Sequence, residues 1–221
     1  MKILSFGDIH EDFTIAKSMK NELEAADLII ITGDLTNCHG REEAQEVIDW
    51  FTEFNKNVLA QFGNMDLPEV NDYLNEKDIN LHGNGHMIDG VGIFGVGGSN
   101  LTPFQTPTEF SENEIETFLY SGFEKIKKAK WKIMVPHAPP FGTKIDKIEN
   151  GTHVGSTSVR DFILKHKPDI AVSGHIHEAR GTQELGSTLL FNAGMYRDGG
   201  YVQIEKLSDN LVAELKIVPS S

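Results

Sequence analysis

Seven side chains in this sequence carry oxygen or nitrogen donors suited to divalent cations: Asp8, His10, Asp34, Asn64, His137, His175 and His177. They lie in five short segments, Asp8-x-His10, Gly33-Asp34, Gly63-Asn64, Pro136-His137 and Gly174-His175-x-His177. An Asp and a His two apart on an extended segment face the same side and can share a cation. A carboxylate at a strand end, as at Asp34, can bridge two cations ~3.5–4 Å apart. Asn64 offers a neutral carbonyl oxygen, and the imidazoles of His175 and His177 can reach neighbouring metals while Gly174 lets the backbone come close. Singly, each segment has an ordinary structural use: Asp34 and Asn64 suit turns beside glycine, and His137 suits a hydrogen-bonded strand end. All five occurring in order, each after an apolar or β-branched run, is what points to a metal centre.

Those runs define the elements that must position the ligands. Residues 2–6, 28–32 and 58–62 read as strands leading to Asp8, Asp34 and Asn64, and 131–135 and 169–173 as strands leading to His137 and His175. Helical spacing covers 13–25, 41–54 and 69–74, with Ala44, Val47, Ile48, Phe51 and Phe54 on one face. Alternation of strand and helix predicts a parallel sheet, with polar groups just past its carboxyl ends in the ligand crevice. The glycine-rich segment 87–98 reads as a hairpin, and Ser111-x-x-Glu114 as a capping box opening a helix to about residue 128. A helix over 159–165 and strands over 188–192, 201–206 and 211–218 complete the chain, the last two joined by an Asp209-Asn210 turn. The irregular segments 102–108 and 142–155 suit a substrate entrance.

Length and composition fit one globular domain over residues 1–221, with 39% hydrophobic and 24% charged residues. A formal charge of −13 argues against a protein that wraps duplex nucleic acid, whose binding depends on clustered Lys and Arg. A small anionic substrate is compatible, because a dinuclear centre outweighs a diffuse surface field locally. The single cysteine, Cys38, excludes an intrachain disulfide and thiolate zinc clusters and fits a reducing cytoplasm. Residues 2–6 lead straight into the first motif, leaving no room for a cleavable signal, and no stretch approaches the ~18 apolar residues of a membrane span.

The five motifs together resemble the calcineurin-like metallophosphoesterase superfamily over nearly the whole chain. Within it, Gly63-Asn64-Met65-Asp66, His153-Val154-Gly155-Ser156 and Ser173-Gly174-His175-Ile176-His177-Glu178 are similar to the Icc-related phosphoesterases. The resemblance implies an αββα sandwich of two mixed β-sheets flanked by helices. It also implies one metal held by Asp8, His10, Asp34 and His177, and a second by Asp34, Asn64, His137 and His175. Manganese, iron, zinc and nickel all suit such donors, and magnesium less so because it prefers an all-oxygen shell.

One departure bears on chemistry. Where the family's Gly-Asn-His-Asp/Glu motif has a proton-donating histidine, this chain has Met65. Such an acid contributes typically ~10²–10⁴-fold. His39, five residues past Asp34, is the first candidate substitute, and Asp66 joins it as an expected catalytic residue. Asn64, Asn37, His153 and Arg180 are expected to contact substrate, His153 being a second candidate acid. The expected function is a cytoplasmic dinuclear phosphoesterase acting on small phosphoesters, more on diesters than monoesters, through a metal-activated bridging hydroxide. Two other functions compete with it. A non-catalytic scaffold is disfavoured by the intact ligand set, and a nuclease by the lack of a basic stripe. Oligomeric state is not legible in the sequence.

Overall fold

The run Leu28-Ile29-Ile30-Ile31 shows how the sequence builds this fold. Leu28 and Ile30 face one hydrophobic core while Ile29 and Ile31 face another, and all four are buried. A strand covered on both faces reads as a continuous apolar run. The computed structural model describes residues 1–218, without the side chains of Ala16 and Lys17; the end of the expected domain, 219–221, lies outside the described residues.

In chain order the elements are β1 (Lys2–Phe6), α1 (Ala16–Glu24), β2 (Leu28–Ile31), α2 (Arg41–Phe54), β3 (Val58–Ala60), α3 (Pro68–Glu76), β4 (Gly85–Ile88) and β5 (Val91–Val96). There follow β6 (Ser99–Asn100), β7 (Glu109–Phe110), α4 (Glu112–Ile126), β8 (Trp131–Pro136), α5 (Thr157–His166) and β9 (Ile170–Ser173). The chain then forms β10 (Gly181–Leu185), β11 (Thr188–Asn192), β12 (Gly200–Lys206) and β13 (Leu211–Ile217). One sheet has the order β13-β12-β1-β2-β3 and the other β10-β11-β9-β8-β5-β4, with β6 and β7 pairing apart.

Both large sheets are mixed. Strands β1, β2 and β3 run parallel, whereas β12 joins β1 antiparallel. Three buried clusters separate four layers. Leu4, Phe6, Ile29 and Ile31 pack with Val47, Phe51 and Val70 beneath the first helices, and Ile3, Ile30 and Leu59 meet Ile93, Ile133 and Val172 between the sheets. Phe94, Met134 and Ala171 meet Ile115, Leu119 and Phe162 beneath α4 and α5. The architecture is therefore the αββα sandwich that the resemblance implies.

Local signals account for most boundaries. Ser111 accepts the Glu114 backbone N–H and Glu114 answers to the Ser111 N–H, a full capping box at α4. Pro68 opens α3 at the position where its missing N–H costs nothing. The hairpin expected over 87–98 lies earlier: β4 and β5 pair antiparallel around Asp89-Gly90, and Val96 ends the second strand. Strand β10 is absent from the sequence reading, because Gly-Thr-Gln-Glu-Leu at a sheet edge is too polar to register as a strand.

Gln61 staples the two sheets where the motifs emerge. Its fully buried amide nitrogen lies 3.0 Å from the Thr32 carbonyl, 3.1 Å from that of Val96 and 2.9 Å from that of Val135. Three strand ends from two sheets are thus held to one side chain.

Candidate metal centre

Every ligand motif follows the carboxyl end of a parallel strand. Asp8 and His10 follow β1, Asp34 follows β2 and Asn64 follows β3; His137 follows β8, and His175 and His177 follow β9. The loops are zipped together by backbone hydrogen bonds, with the Asp8 N–H donating to the Gly33 carbonyl at 3.1 Å and the His10 N–H to the Asp34 carbonyl at 3.0 Å. Asp8, His10, Asp34 and His175 all sit at positive φ, between 49° and 69°. Non-glycine residues rarely adopt this region, and such strain concentrates where backbone is bent to aim functional groups.

Close approach also explains two glycines. A Cβ at Gly63 would lie 2.0 Å from Asp34 Oδ1, and one at Gly33, whose φ is +128°, would lie 2.5 Å from His137 Nδ1. Neither position can carry a side chain without moving a donor.

Asp8, His10, Asp34 and His177 bring one donor atom each within 4.8 Å of one another. His10 Nε2 and His177 Nε2 are 3.3 Å apart, and His177 Nε2 is 3.4 Å from Asp8 Oδ1. On the other side, His137 Nε2 lies 3.2 Å from Asn64 Oδ1, and His175 Nδ1 lies 2.7 Å from that same oxygen. Asp34 Oδ2 sits between the two groups, 3.7 Å from His10 Nε2 and 3.4 Å from His137 Nε2. Its other oxygen accepts the Met65 N–H at 2.8 Å.

The donor set fits cations on chemical grounds. His10 Nδ1 faces the Thr36 carbonyl at 3.2 Å and His137 Nδ1 faces the Thr32 carbonyl at 3.1 Å. A carbonyl only accepts, so both ring protons are on Nδ1 and both Nε2 atoms offer lone pairs inward, the outer-shell arrangement typical of metal-ligating histidines. In the neutral rings those lone pairs face carboxylate and amide oxygens, and a proton held at His137 Nε2 is one that a cation would displace. Asp8 Oδ2 is buried without a hydrogen-bond partner. A buried orphan acceptor among converging acceptors is satisfied by a cation.

The same crowding shifts the titration of these groups. Burial alone would raise Asp34, but the neighbouring His137 and His10 hold it far below the usual carboxylate range. Burial alone would lower His137, but the Asp34 and Asp8 charges carry it up to about 9. Burial and the adjacent His137 bring His175 down to about 4.

The other expected site residues fall elsewhere. Asp66, expected to be catalytic, is fully buried and accepts the N–H groups of Gly63 (2.7 Å), Thr36 (2.7 Å) and Leu35 (3.0 Å) and the Thr36 hydroxyl (2.8 Å). It is a strut tying the Asp34 loop to the Asn64 loop and is not among the residues that line the cleft. His39 lies outside the cleft lining and pairs with Glu11 at 2.8 Å, which raises its pKa. Asn37 is pinned to the His10 carbonyl at 2.7 Å. Arg180 lies 3.3 Å from the Asp198 carbonyl and lines, with Lys144 and Lys147, a depression of about 360 Å³ that adjoins the ligand cleft at Ile148, Glu149 and Glu178.

His153 does line the cleft that contains Asp34, Asn64, His175 and His177, a space of about 1160 Å³. Its Nδ1 is 2.6 Å from Asp146 Oδ1. Asp146 is fully buried and also accepts the N–H groups of Gly142, Thr143 and Gly155. Sequence reasoning missed Asp146, which lies in an irregular segment, and Gln61, which directly follows β3 but falls inside the run 58–62 read as strand. The seven-residue spacing from Asp146 to His153 within an irregular loop is the only local hint. Among the described residues no helix is long and apolar enough to cross a membrane.

Comparison with known proteins places this geometry. The chain is 33% identical over 196 residues to an uncharacterised protein, MJ1162, of Methanocaldococcus jannaschii, covering 87% of each. It superposes on the crystal structure of TT1561 of Thermus thermophilus with a TM-score of 0.74 at 19% identity, covering 98% of both chains. A dimetal phosphatase from Danio rerio shares the fold with a TM-score of 0.67 at 9% identity, covering 98% of this chain and 96% of that one. The family model for calcineurin-like phosphoesterases matches residues 1–179, the span holding all seven candidate ligands, and the chain belongs to that family.

Proposed function

We propose that the protein is a phosphodiesterase that works with two divalent cations, one held by Asp8, His10, Asp34 and His177 and the other by Asp34, Asn64, His137 and His175. The observation that carries this reading is Asp34 Oδ2, set between His10 Nε2 at 3.7 Å and His137 Nε2 at 3.4 Å. One carboxylate oxygen between two imidazole groups is the arrangement of a bridging ligand. The donors suit manganese, iron, zinc or nickel. When bound, the cations supply the Lewis acidity that activates water and offsets charge on the phosphoryl group.

The protein's own groups then divide the remaining work. Asp66 holds the Asp34 and Asn64 loops in register, and Gln61 fixes the strand ends behind them. His153 is the proton donor that Met65 cannot be: Asp146 fixes one ring nitrogen and leaves the other to exchange a proton with the leaving oxygen inside the cleft. Small phosphodiesters are the substrate class, in the cytoplasm, with no part for membrane or nucleic acid.

The direct test loads the protein with each metal in turn, counts ions per chain by elemental analysis, and follows hydrolysis of bis(p-nitrophenyl) phosphate. Two ions per chain with turnover support the proposal. Saturation at one ion, or no turnover with any of the four metals, would overturn it.

A further inference from the structure

The cleft beside the metal ligands has a wall unlike the site it adjoins. Leu101 is 71% exposed, Phe104 82% and Phe141 40%, and all three line this one space with Pro103, Ile148 and Met65. Isolated surface hydrophobes need no explanation, but a contiguous apolar rim around a concave space marks a binding surface. Among the described residues no Lys or Arg lines the cleft, and its charged rim includes Glu149 and Glu178. A second phosphate or a carboxylate seated against this apolar wall would find no lysine or arginine there.

The rim is built in place. Glu109 accepts the Thr102 N–H and hydroxyl at 3.0 and 2.6 Å and the Thr106 N–H and hydroxyl at 2.7 and 2.6 Å, closing the loop that carries Phe104. Burial alone would raise Glu109, but these four donors take it down to about 2, so the clasp persists across the neutral range. Asn100 Nδ2 donates to the Val154 carbonyl at 3.2 Å, joining this loop to the one bearing His153. A loop held this firmly keeps Phe104 in solvent, where a bound apolar group can cover it without further ordering.

Resting on the phosphodiesterase reading, we propose that the cleft takes an uncharged, apolar substituent of a singly charged phosphodiester, seated against Leu101, Phe104 and Phe141. The substituent is a hydrocarbon group, aliphatic or aromatic, and bears no additional phosphate or carboxylate. This separates the substrate from nucleoside di- and triphosphates, oligonucleotides and sugar bisphosphates.

Non-hydrolysable phosphinates test it by binding alone. Dimethylphosphinate, methyl(octyl)phosphinate, methyl(benzyl)phosphinate and methyl(7-carboxyheptyl)phosphinate are titrated calorimetrically into metal-loaded protein. The octyl or benzyl compound should bind at least ~10-fold more tightly than the dimethyl one, since a few buried methylenes suffice for that gain. Whichever of the two binds more tightly identifies an aliphatic or an aromatic source. The carboxyheptyl compound should lose most of the gain. The double substitution Leu101→Ser, Phe104→Ser, at exposed positions outside the core, should collapse the octyl-to-methyl ratio while the melting temperature stays put. Equal affinities for all four compounds, or a carboxyheptyl compound as tight as the octyl one, would overturn the assignment. In parallel, p-nitrophenyl methyl and p-nitrophenyl octyl phosphates report turnover. Hydrolysis without any phosphinate preference removes the apolar substituent and leaves the phosphodiesterase; phosphinate preference without hydrolysis does the reverse.

Discussion

At the scale of single residues, the centre turns on Asp34. Its Oδ2 lies near imidazole nitrogens from both groups, 3.7 Å from His10 Nε2 and 3.4 Å from His137 Nε2. Asp34→Ala is therefore expected to lose both ions by elemental analysis, whereas His10→Ala loses about one. A fully loaded Asp34→Ala protein would refute the shared-ligand geometry. The acid gives a second test. His153 sits in the cleft against buried Asp146, while His39 pairs with Glu11 outside it. His153→Gln should slow alkyl-ester hydrolysis by up to ~10²-fold while sparing nitrophenyl esters, whose leaving group needs no proton. His39→Gln should leave that leaving-group dependence unchanged. The opposite pattern would move the acid to His39. These residue roles were unequally legible in the sequence. The seven donors stood out because each ends an apolar run, and strand-end polar residues are conspicuous. Asp66 was misread because its place in a motif does not tell which way a carboxylate faces; four backbone and hydroxyl donors do.

At the scale of elements, the loops leaving the strands decide what the donors can do, and they lean on packing well behind the site. His82, just before β4, is half-buried against Phe62, Phe110 and Phe118, with ring centroids at 4.6, 5.4 and 4.2 Å. Its Nδ1 accepts the Gly97 N–H at 3.1 Å, anchoring the chain between β5 and β6. Burial brings its pKa from 6.5 down to about 4. The unfolded chain thus binds more protons between those values, so this stability is complete above about pH 6.5 and is lost as pH falls towards 4. The full effect is on the order of 3 kcal/mol. Urea unfolding between pH 4 and 7 should show the slope, and His82→Gln, which keeps an acceptor for Gly97, should flatten it. An unchanged slope in the variant would place the acid sensitivity elsewhere. Helices and buried strands were readable because hydrophobic periodicity and caps are local. Strand β10 and the two-residue pair of β6 and β7 were not, since an exposed edge strand and a short bridge are set by their partners.

At the scale of the whole molecule, the candidate ligands are divided between the two sheets. Asp8, His10, Asp34 and Asn64 follow strands of one sheet, and His137, His175 and His177 follow strands of the other. The core of the sandwich interface between them is apolar, built on Ile3, Ile30, Ile93 and Ile133, and sets the distance between sheets. Gln61 and the metal ligands supply the directional contacts across that interface. Cations that bind only the folded arrangement stabilise it by mass action, about 4 kcal/mol at a free-ion concentration ~1,000 times Kd. For a chain of this length that corresponds to a rise of roughly 10 °C in Tm. The rise should grow with the logarithm of ion concentration and vanish on chelation. Asp34→Ala should show none of it, because its loss frees both groups at once. Gln61→Leu should lower Tm with or without metal, since it leaves three strand-end carbonyls without their shared donor. A metal-dependent rise that persisted in Asp34→Ala would mean that cations stabilise the fold from somewhere other than the junction of the two sheets.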